Sequence, residues 1–436
     1  MFKLTTCKPA VLRGFMAIGC AFFLFGSISA QVTAQDTLSY TLAQAEQQFL
    51  QKNLTLLAGH YNVNANRALI DQAKVWDNPV LITDQNIYAD GKSFFSHGKD
   101  LSGESRGQIF IQVQQLIRTA GKRARQIDLA VTTSEMSELQ LQDVLRNLKY
   151  QLRSDYYTIS QLFSVQQIYN QELEEMKHLV TGMEAQLKAG NIAQREYLRV
   201  QALVISLQQD ITENNRNLSN SEAELKTLLQ VTGNTFIKPA DSLAFPTFTT
   251  PSLDTLVAAA KSNNAAYLLQ QKLVLYQQQN LQYQKALKSP DITVGPEYDK
   301  ASNYAPNYVG LTLSLPLPVF NKNKGNIKAA EFSIQQQQVS AQQLETELSN
   351  NIINAYSKLT FTQQQNNSTQ NDFYNSYQKM FTNMMLSYRQ RQLSLLEFID
   401  FFDTYKEANI RLRQQQLNLQ LAKEELNFQA GTDILK

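Results

Sequence analysis

The sequence predicts a mainly α-helical protein with two long helical hairpins and four β-strands, the strands being of the kind found in a shared transmembrane β-barrel. Three observations support this fold class. Two long proline-free runs carry an apolar residue every three or four positions. Four short segments alternate between apolar and polar or small residues. The second half of the chain repeats the order of elements of the first half.

Composition limits the possible functions. The chain has 436 residues, a net charge of +2 and only 18% charged residues, with Gln and Asn tracts such as Gln335–Gln338 making up the deficit. The absence of a basic excess gives no electrostatic case for binding nucleic acid. The Gln and Asn tracts could also indicate disorder, but leucine and aromatic residues recur through them at helical spacing, which favours helix.

Residues 1–34 are predicted to be a secretory signal peptide. Lys3, Lys8 and Arg13 precede an apolar run at residues 14–25, and small residues follow, so that cleavage after Ala30 or Ala34 fits. Both cysteines, Cys7 and Cys20, lie in this segment, and a lipoprotein site at Cys20 is an alternative. The three histidines, His60, His97 and His178, are far apart in sequence, so we expect neither a metal site nor a cofactor.

The first repeat is predicted to span residues 35–231. Thr41 is the expected N-cap of a short helix, Asn53 breaks it, and Asn78-Pro79 ends the helix that follows. A β-hairpin at about 80–116 has a long polar loop, and a helical hairpin covers about 120–231. The first limb of that hairpin would extend about 100 Å. Its apolar seam consists of Leu141, Leu145, Leu148, Leu152, Tyr156, Ile159 and Phe163.

The second repeat is predicted to span residues 255–436, after a Pro- and Thr-rich linker at residues 232–254. Its β-hairpin lies at about 291–316 and its helical hairpin at about 325–430. Pro290 follows Pro79 by 211 residues, and Glu397 follows Glu196 by 201. The difference of ten matches the shorter loop of the second β-hairpin, which supports a true duplication.

The strands have the pattern of membrane barrel strands, with Ile109, Ile111 and Val113 on one face and glutamines on the other. Four strands cannot close a barrel, and a bilayer does not tolerate open sheet edges. If the strands lie in a membrane, several chains must therefore share one barrel. Two β-hairpins packed on a soluble core are the alternative.

An acidic stretch near the start of the last helix is the main candidate site. Glu397, Asp400 and Asp403 stand at i, i+3 and i+6 among bulky apolar residues. Three interpretations are open: a ring of acids lining a pore, a solvated face paired with arginines, or a catalytic carboxylate pair. We find no nucleophile-base pair, phosphate loop or metal cluster, and an enzyme is not expected.

The distinctive features are the order of these elements, Asn78-Pro79 and Ser289-Pro290 before the β-hairpins, the Pro316-Leu317-Pro318 exit and the Leu-Leu-acid-x-x-acid pattern. In these features the chain resembles the TolC-like outer-membrane efflux family, including its heavy-metal efflux branch. The resemblance implies a homotrimer with a 12-stranded barrel in the outer membrane and a periplasmic tunnel of helices. The tunnel would narrow at a gate of Glu397 and Asp400, with Asp403 further off axis. Arg195, Arg199 and Arg389 are candidate gate-stabilising residues.

The same resemblance implies docking on a periplasmic adaptor, which connects to an inner-membrane transporter. The docking residues would be those of the two helical turns: Gly190, Asn191, Ile192, Arg391, Gln392 and Leu393. Arg391 departs from the family, which usually has glycine there, and Glu397 stands where aspartate is commoner. A periplasmic adaptor and a coiled-coil scaffold are the alternative functions, and the cargo stays open between metal ions, drugs and a secreted protein.

Overall fold

A computed structural model of the chain describes residues 36–85, 88–89, 92–93, 108–243, 245–246, 248–302, 305–365 and 368–435. The predicted signal peptide with Cys7 and Cys20, most of the long loop of the first β-hairpin, and His97 lie outside the described residues.

Helices make up most of the described chain, and two hairpins of long helices dominate it. The helices are α1 (Leu42–Lys52), α2 (Leu54–Lys74), α3 (Lys122–Lys188), α4 (Gln194–Leu229), α5 (Leu253–Asn263), α6 (Ala265–Ala286), α7 (Lys324–Gln365), α8 (Ser368–Arg389) and α9 (Leu395–Ala430). The strands are β1 (Asp36–Tyr40), β2 (Val80–Gln85), β3 (Tyr88–Ala89), β4 (Lys92–Ser93), β5 (Ile109–Ile117), β6 (Thr235–Pro239), β7 (Ile292–Ala301) and β8 (Pro306–Ser314). Each described helix is either too short or too polar to cross a bilayer.

Equivalent caps begin the short helices of both halves. Thr41 caps α1 in a capping box with Gln44, as predicted. Asn53 ends α1 and caps α2, and Asn264 does the same between α5 and α6. Both asparagine side chains are buried, and each donates to a carbonyl at the end of a long return helix, Leu228 in α4 and Gln429 in α9. These bonds anchor the short helices to the long ones at matching places.

Four strands form one antiparallel sheet in the order β2-β5-β7-β8, so the pairing of β5 with β7 joins the two halves. Its two faces differ. Ile111, Tyr298 and Val309 stand opposite one another in one row, and Gln112, Glu297 and Gly310 form the next. Val309 and its alternating neighbours Leu311 and Leu313 are at least two-thirds exposed. Gln112 is buried on the other face, where it donates to Glu297 and Thr312, so the predicted alternation is confirmed.

The segment predicted as a linker contains a strand that the sequence pattern did not reveal. β6 pairs in parallel with β1, with Tyr40 opposite Pro239. The Tyr156 hydroxyl of α3 lies 2.9 Å from both the Tyr40 carbonyl oxygen and an Asp241 carboxylate oxygen. The same carboxylate accepts from the Leu42 amide, so the described N-terminal strand is held against α3.

Buried side chains form three clusters along the helices, and the predicted seams supply much of two of them. Leu152, Tyr156 and Ile159 of α3 are fully buried where α1, α3 and α4 pack together. The matching cluster of the second half is formed by α5, α7 and α9 and includes Leu348, Ile352, Ala355 and Leu359. The third cluster lies near the far end of both hairpins. The helical interpretation of the two proline-free runs is therefore confirmed.

Arg153 connects the halves electrostatically. Its guanidinium lies 2.6 Å from Glu46 of α1, 2.6 Å from Glu424 of α9 and 2.8 Å from Asp433. Because the guanidinium and Glu424 are both largely buried, loss of one partner would leave an uncompensated charge away from water.

We predict that Gly431→Ala destabilises the protein more than Gly190→Ala. Both glycines have a positive φ, 76° and 72°, which costs an alanine about 1–2 kcal/mol. A Cβ at Gly431 would also lie 2.7 Å from backbone atoms of Asn263 and Asn264, whereas nothing lies within 4 Å of one at Gly190. Loss of helical circular dichroism on heating measures both effects, and equal shifts for the two variants would contradict the role of that contact.

Candidate functional site: the end of the helical hairpins

The two turns at the end of the hairpins have the same backbone hydrogen bonds. In the first, Gly190 has φ 72° and the Asn191 amide donates to the Gln186 carbonyl at 2.9 Å. In the second, Arg391 has φ 58° and the Gln392 amide donates to the Ser387 carbonyl, also at 2.9 Å. Both are Schellman motifs, in which a left-handed residue ends the helix. The duplication therefore extends to the geometry of the turns.

Arg391 holds this left-handed conformation without being glycine, at a cost of about 1–2 kcal/mol. Its guanidinium donates to the Gln186 side-chain oxygen at 3.0 Å, and the Asn191 side chain donates to the same oxygen at 2.9 Å. Gln186 thus joins both turns. The departure from glycine at this position places a basic side chain across the two hairpins.

A cavity of about 890 Å³ lies between the turns. Of the predicted docking residues, Asn191, Ile192, Arg391 and Leu393 line it, while Gly190 and Gln392 lie in the turns themselves. Glu175, His178, Glu196 and Arg389 add charged and titratable groups around an apolar base of leucine and methionine. The cavity is therefore amphipathic, as is common for sites that bind another protein.

Aromatic side chains hold the second hairpin together next to its turn. Tyr388 of α8 stacks on Phe398 of α9 with ring centroids 4.7 Å apart, and Phe381 stacks on Tyr405 at 4.3 Å. The first hairpin supplies Met176, Met183 and other aliphatic residues to the same cluster. Close aromatic pairs of this kind contribute about 0.5–1.5 kcal/mol beyond their buried area.

Glu397 has a structural role in addition to its predicted one. Its carboxylate accepts from the Ser394 amide at 3.0 Å and from the Ser394 hydroxyl at 2.6 Å, which closes a capping box at the start of α9. These hydrogen bonds lower the pKa of Glu397, so the side chain stays charged. The Ser394-x-x-Glu397 pattern was a sequence signal for this cap.

Asp400 lies one turn after Glu397, and both side chains are exposed. Asp403 is partly buried. Burial and, secondarily, the negative charge of Asp400 raise the pKa of Tyr377 in α8. None of the three acids lines the cavity between the turns. All three acids lie on one helix of a single chain, so their place in a pore-lining ring stays a prediction.

The predicted gate-stabilising arginines behave differently from one another. Arg389 forms an ion pair with Glu175 of α3 at 3.4 Å, and both side chains are more than 40% exposed. Such exposed pairs contribute about 0–1 kcal/mol. Arg195 and Arg199 are exposed, and neither forms an ion pair with another described residue.

A second ion pair joins the hairpins, and the sequence did not reveal it. Lys406 of α9 lies 2.9 Å from Asp210 of α4, and its side chain is only 17% exposed. The partners are 196 residues apart, so their meeting depends on how the two halves pack. Because this pair is less exposed, it contributes more to hairpin association than Arg389–Glu175.

Glu172 of α3 is a buried carboxyl behind this pair. It is 2% exposed, and neither of its oxygens has a hydrogen-bond partner among the described residues. Desolvation raises its pKa to about 8, with Lys406 opposing and Asp210 adding to the shift. Glu172 is therefore neutral at pH 7, and it does not compete with Asp210 for Lys406.

The model of the outer membrane efflux protein family matches residues 45–230. The nickel-cobalt-cadmium resistance protein NccC of Alcaligenes xylosoxydans xylosoxydans is 26% identical over 330 residues, covering 74% of this chain and 70% of that protein.

Solved structures show the same fold. The outer-membrane channel OprN has a TM-score of 0.71 at 15% identity, with 89% of each chain covered. The MtrE outer membrane channel of Neisseria gonorrhoeae, solved in an open state, has a TM-score of 0.71 at 15% identity, covering 90% of this chain and 89% of that one.

The family model, the relative and the solved structures agree with one another, so the chain is similar to the outer membrane efflux protein family in sequence and in fold.

We predict that Glu172→Gln removes a pH dependence of stability. The folded-state pKa of about 8 exceeds the ordinary value of 4.5, so the protonated carboxyl favours the folded state below about pH 4.5. That advantage is lost as the pH rises to about 8, which lowers parent stability by a few kcal/mol relative to the variant. Thermal unfolding between about pH 5 and pH 8 measures the difference.

Asp155→Asn is the control, since Asp155 is a second buried carboxyl of α3 whose pKa is raised to about 7. Asp155→Asn should flatten the profile only up to about pH 7, so the slope between about pH 7 and pH 8 should change in Glu172→Gln alone. If the parent and Glu172→Gln lose stability in parallel across this range, Glu172 is not the titrating group.

Proposed function

We propose that this protein is the outer-membrane channel of a tripartite efflux pump, a passive exit duct from the periplasm to the outside. The observation that carries the proposal is the four-stranded sheet. Its apolar face is exposed, and β2 and β8 have no strand on their outer sides in the described chain. A sheet with two open edges is stable in a bilayer only when further copies complete it.

Three copies would supply twelve strands, and their helical hairpins would enclose the periplasmic tunnel. The family match and the structurally similar proteins OprN and MtrE, both of which are named as outer membrane channels, support this assembly and the outer membrane as its location. A periplasmic adaptor or a coiled-coil scaffold is not favoured. Fractionation tests the assignment first, because the mature protein should require detergent for extraction.

The two helical turns would face the periplasmic adaptor, which links the duct to the inner-membrane transporter. The cavity between the turns supports this, because it combines an apolar base with Arg389 and Arg391 at its edge. Divalent transition-metal cations are the first cargo to test, since the relative NccC is named for resistance to nickel, cobalt and cadmium. The duct would require no cofactor of its own.

We predict that Glu397→Gln combined with Asp400→Asn lowers cation selectivity. Six carboxylates around a narrow entrance favour cations and repel anions. Gln at position 397 can still close the capping box with Ser394, so the change removes charge with little effect on the helix start. In planar bilayers the cation-to-anion permeability ratio should fall several-fold at low salt.

The control for this measurement is Glu174→Gln, which removes one exposed acid of α3 that is already paired with Lys177. It should leave the ratio near that of the parent. Unchanged selectivity in the double variant would place the selective ring elsewhere in the channel.

We also predict that loss of contacts between the hairpins opens the duct. Arg389→Gln and Lys406→Gln each remove an ion pair between the first and second hairpin, and Lys406→Gln should have the larger effect because its pair is more buried. Mean single-channel conductance should rise in that order. Lys177→Gln breaks a pair within α3 alone and should not change it, and an equal rise in all three would contradict the assignment.

A further inference from the structure

Five exposed lysines lie where the helices meet the sheet in the second half. Lys285 and Lys288 stand at the end of α6, and Lys322, Lys324 and Lys328 stand at the start of α7. None of the five forms an ion pair with another described residue. With the apolar segment 317–320, they form a surface that we call the basic collar.

A side-chain contact keeps the two groups of lysines together. The Asn323 amide donates to the Gln284 carbonyl at 2.8 Å and to the Gln284 side-chain oxygen at 3.0 Å. The start of α7 is thereby fixed beside the end of α6. Positive charge from both helices accumulates in one place because of this bond.

The acids near the collar are mostly neutralised by other partners. Asp77 pairs with Arg118 at 2.7 Å, and Asp291 pairs with Lys122 at 2.6 Å. The first turn of α7 has no acidic residue, and Glu331 is an exposed acid further along it. The collar therefore has a net positive charge facing solvent.

The apolar part of the collar continues the outward face of the sheet. Leu313, Leu315, Leu317 and Val319 follow one another at every second position, and all are exposed. Phe320 is 100% exposed. A groove of about 380 Å³ runs between Val319, Phe320 and the lysines. Apolar residues on the sheet side and cations on the helix side match the boundary between acyl chains and headgroups.

We propose that the basic collar binds acidic phospholipids of the leaflet that faces the periplasm. The lysines would contact the headgroup phosphates, and Phe320 with Val319 would contact the upper acyl chains. Each lysine near an anionic surface strengthens attachment by about fivefold at physiological salt. This inference rests on the proposed function, because it places the sheet in the outer membrane.

A tryptophan reporter at the collar tests the proposal. Trp76 is the only tryptophan, so Trp76→Phe with Phe320→Trp gives a protein that reports from the collar alone. The full mature protein is reconstituted in vesicles that contain brominated phosphatidylglycerol or brominated phosphatidylcholine, and fluorescence quenching yields their relative binding constant. We expect phosphatidylglycerol to bind at least fivefold better, with the preference falling as salt rises.

Lys322→Gln, Lys324→Gln and Lys328→Gln together should bring the preference close to one. Lys52→Gln removes an exposed lysine at the end of α1 that forms no ion pair with another described residue, and it should leave the preference unchanged. A preference near one in the reporter protein, or one that survives the triple substitution, overturns the proposal. Absence of quenching by either lipid also overturns it, since the collar would then contact neither lipid. Failure of the protein to enter vesicles would instead refute the proposed function.

Discussion

The pairing of β5 with β7 is the interaction on which the rest of the structure depends. It joins the halves edge to edge, so α3 and α7 both leave the sheet at the same end. α3 has 67 residues, and α7 and α8 together cover residues 324–365 and 368–389. Because the two limbs begin together and have nearly equal length, their turns meet about 100 Å away. The candidate gate exists only because of this match.

At the far end, one buried apolar cluster contains residues of both hairpins, and partly exposed polar contacts also join the hairpins. Stacked rings hold α8 to α9, but Arg391–Gln186, Arg389–Glu175 and Lys406–Asp210 join one hairpin to the other. Polar contacts of this kind are individually weak and sensitive to salt and charge. Loss of these polar contacts would leave the stacked rings within the second hairpin intact.

Much of the fold could be predicted from the sequence because its signals are local. The caps at Thr41 and Asn53, the break at Pro79 and the seam through Tyr156 each depend on residues within a few turns. The β1–β6 pair was missed because its parallel partners are about 200 residues apart and short. The Lys406–Asp210 ion pair was missed for the same reason, and so was the burial of Glu172 without a hydrogen-bond partner. Both features arise only when the two halves pack together. The cap at Glu397 was predictable from the Ser394-x-x-Glu397 pattern, because a capping box depends only on residues three positions apart.

The open edges of the sheet affect how the protein inserts into a membrane and assembles. In hydrocarbon, each unpaired backbone N–H or C=O of β2 and β8 would cost several kcal/mol. A lone chain therefore has no low-energy state within the bilayer, however well its helices are folded outside it. If three chains complete the barrel, as proposed, insertion and assembly form one cooperative reaction, and a threefold drop in the concentration of unassembled chains lowers the equilibrium concentration of channels by about 27-fold.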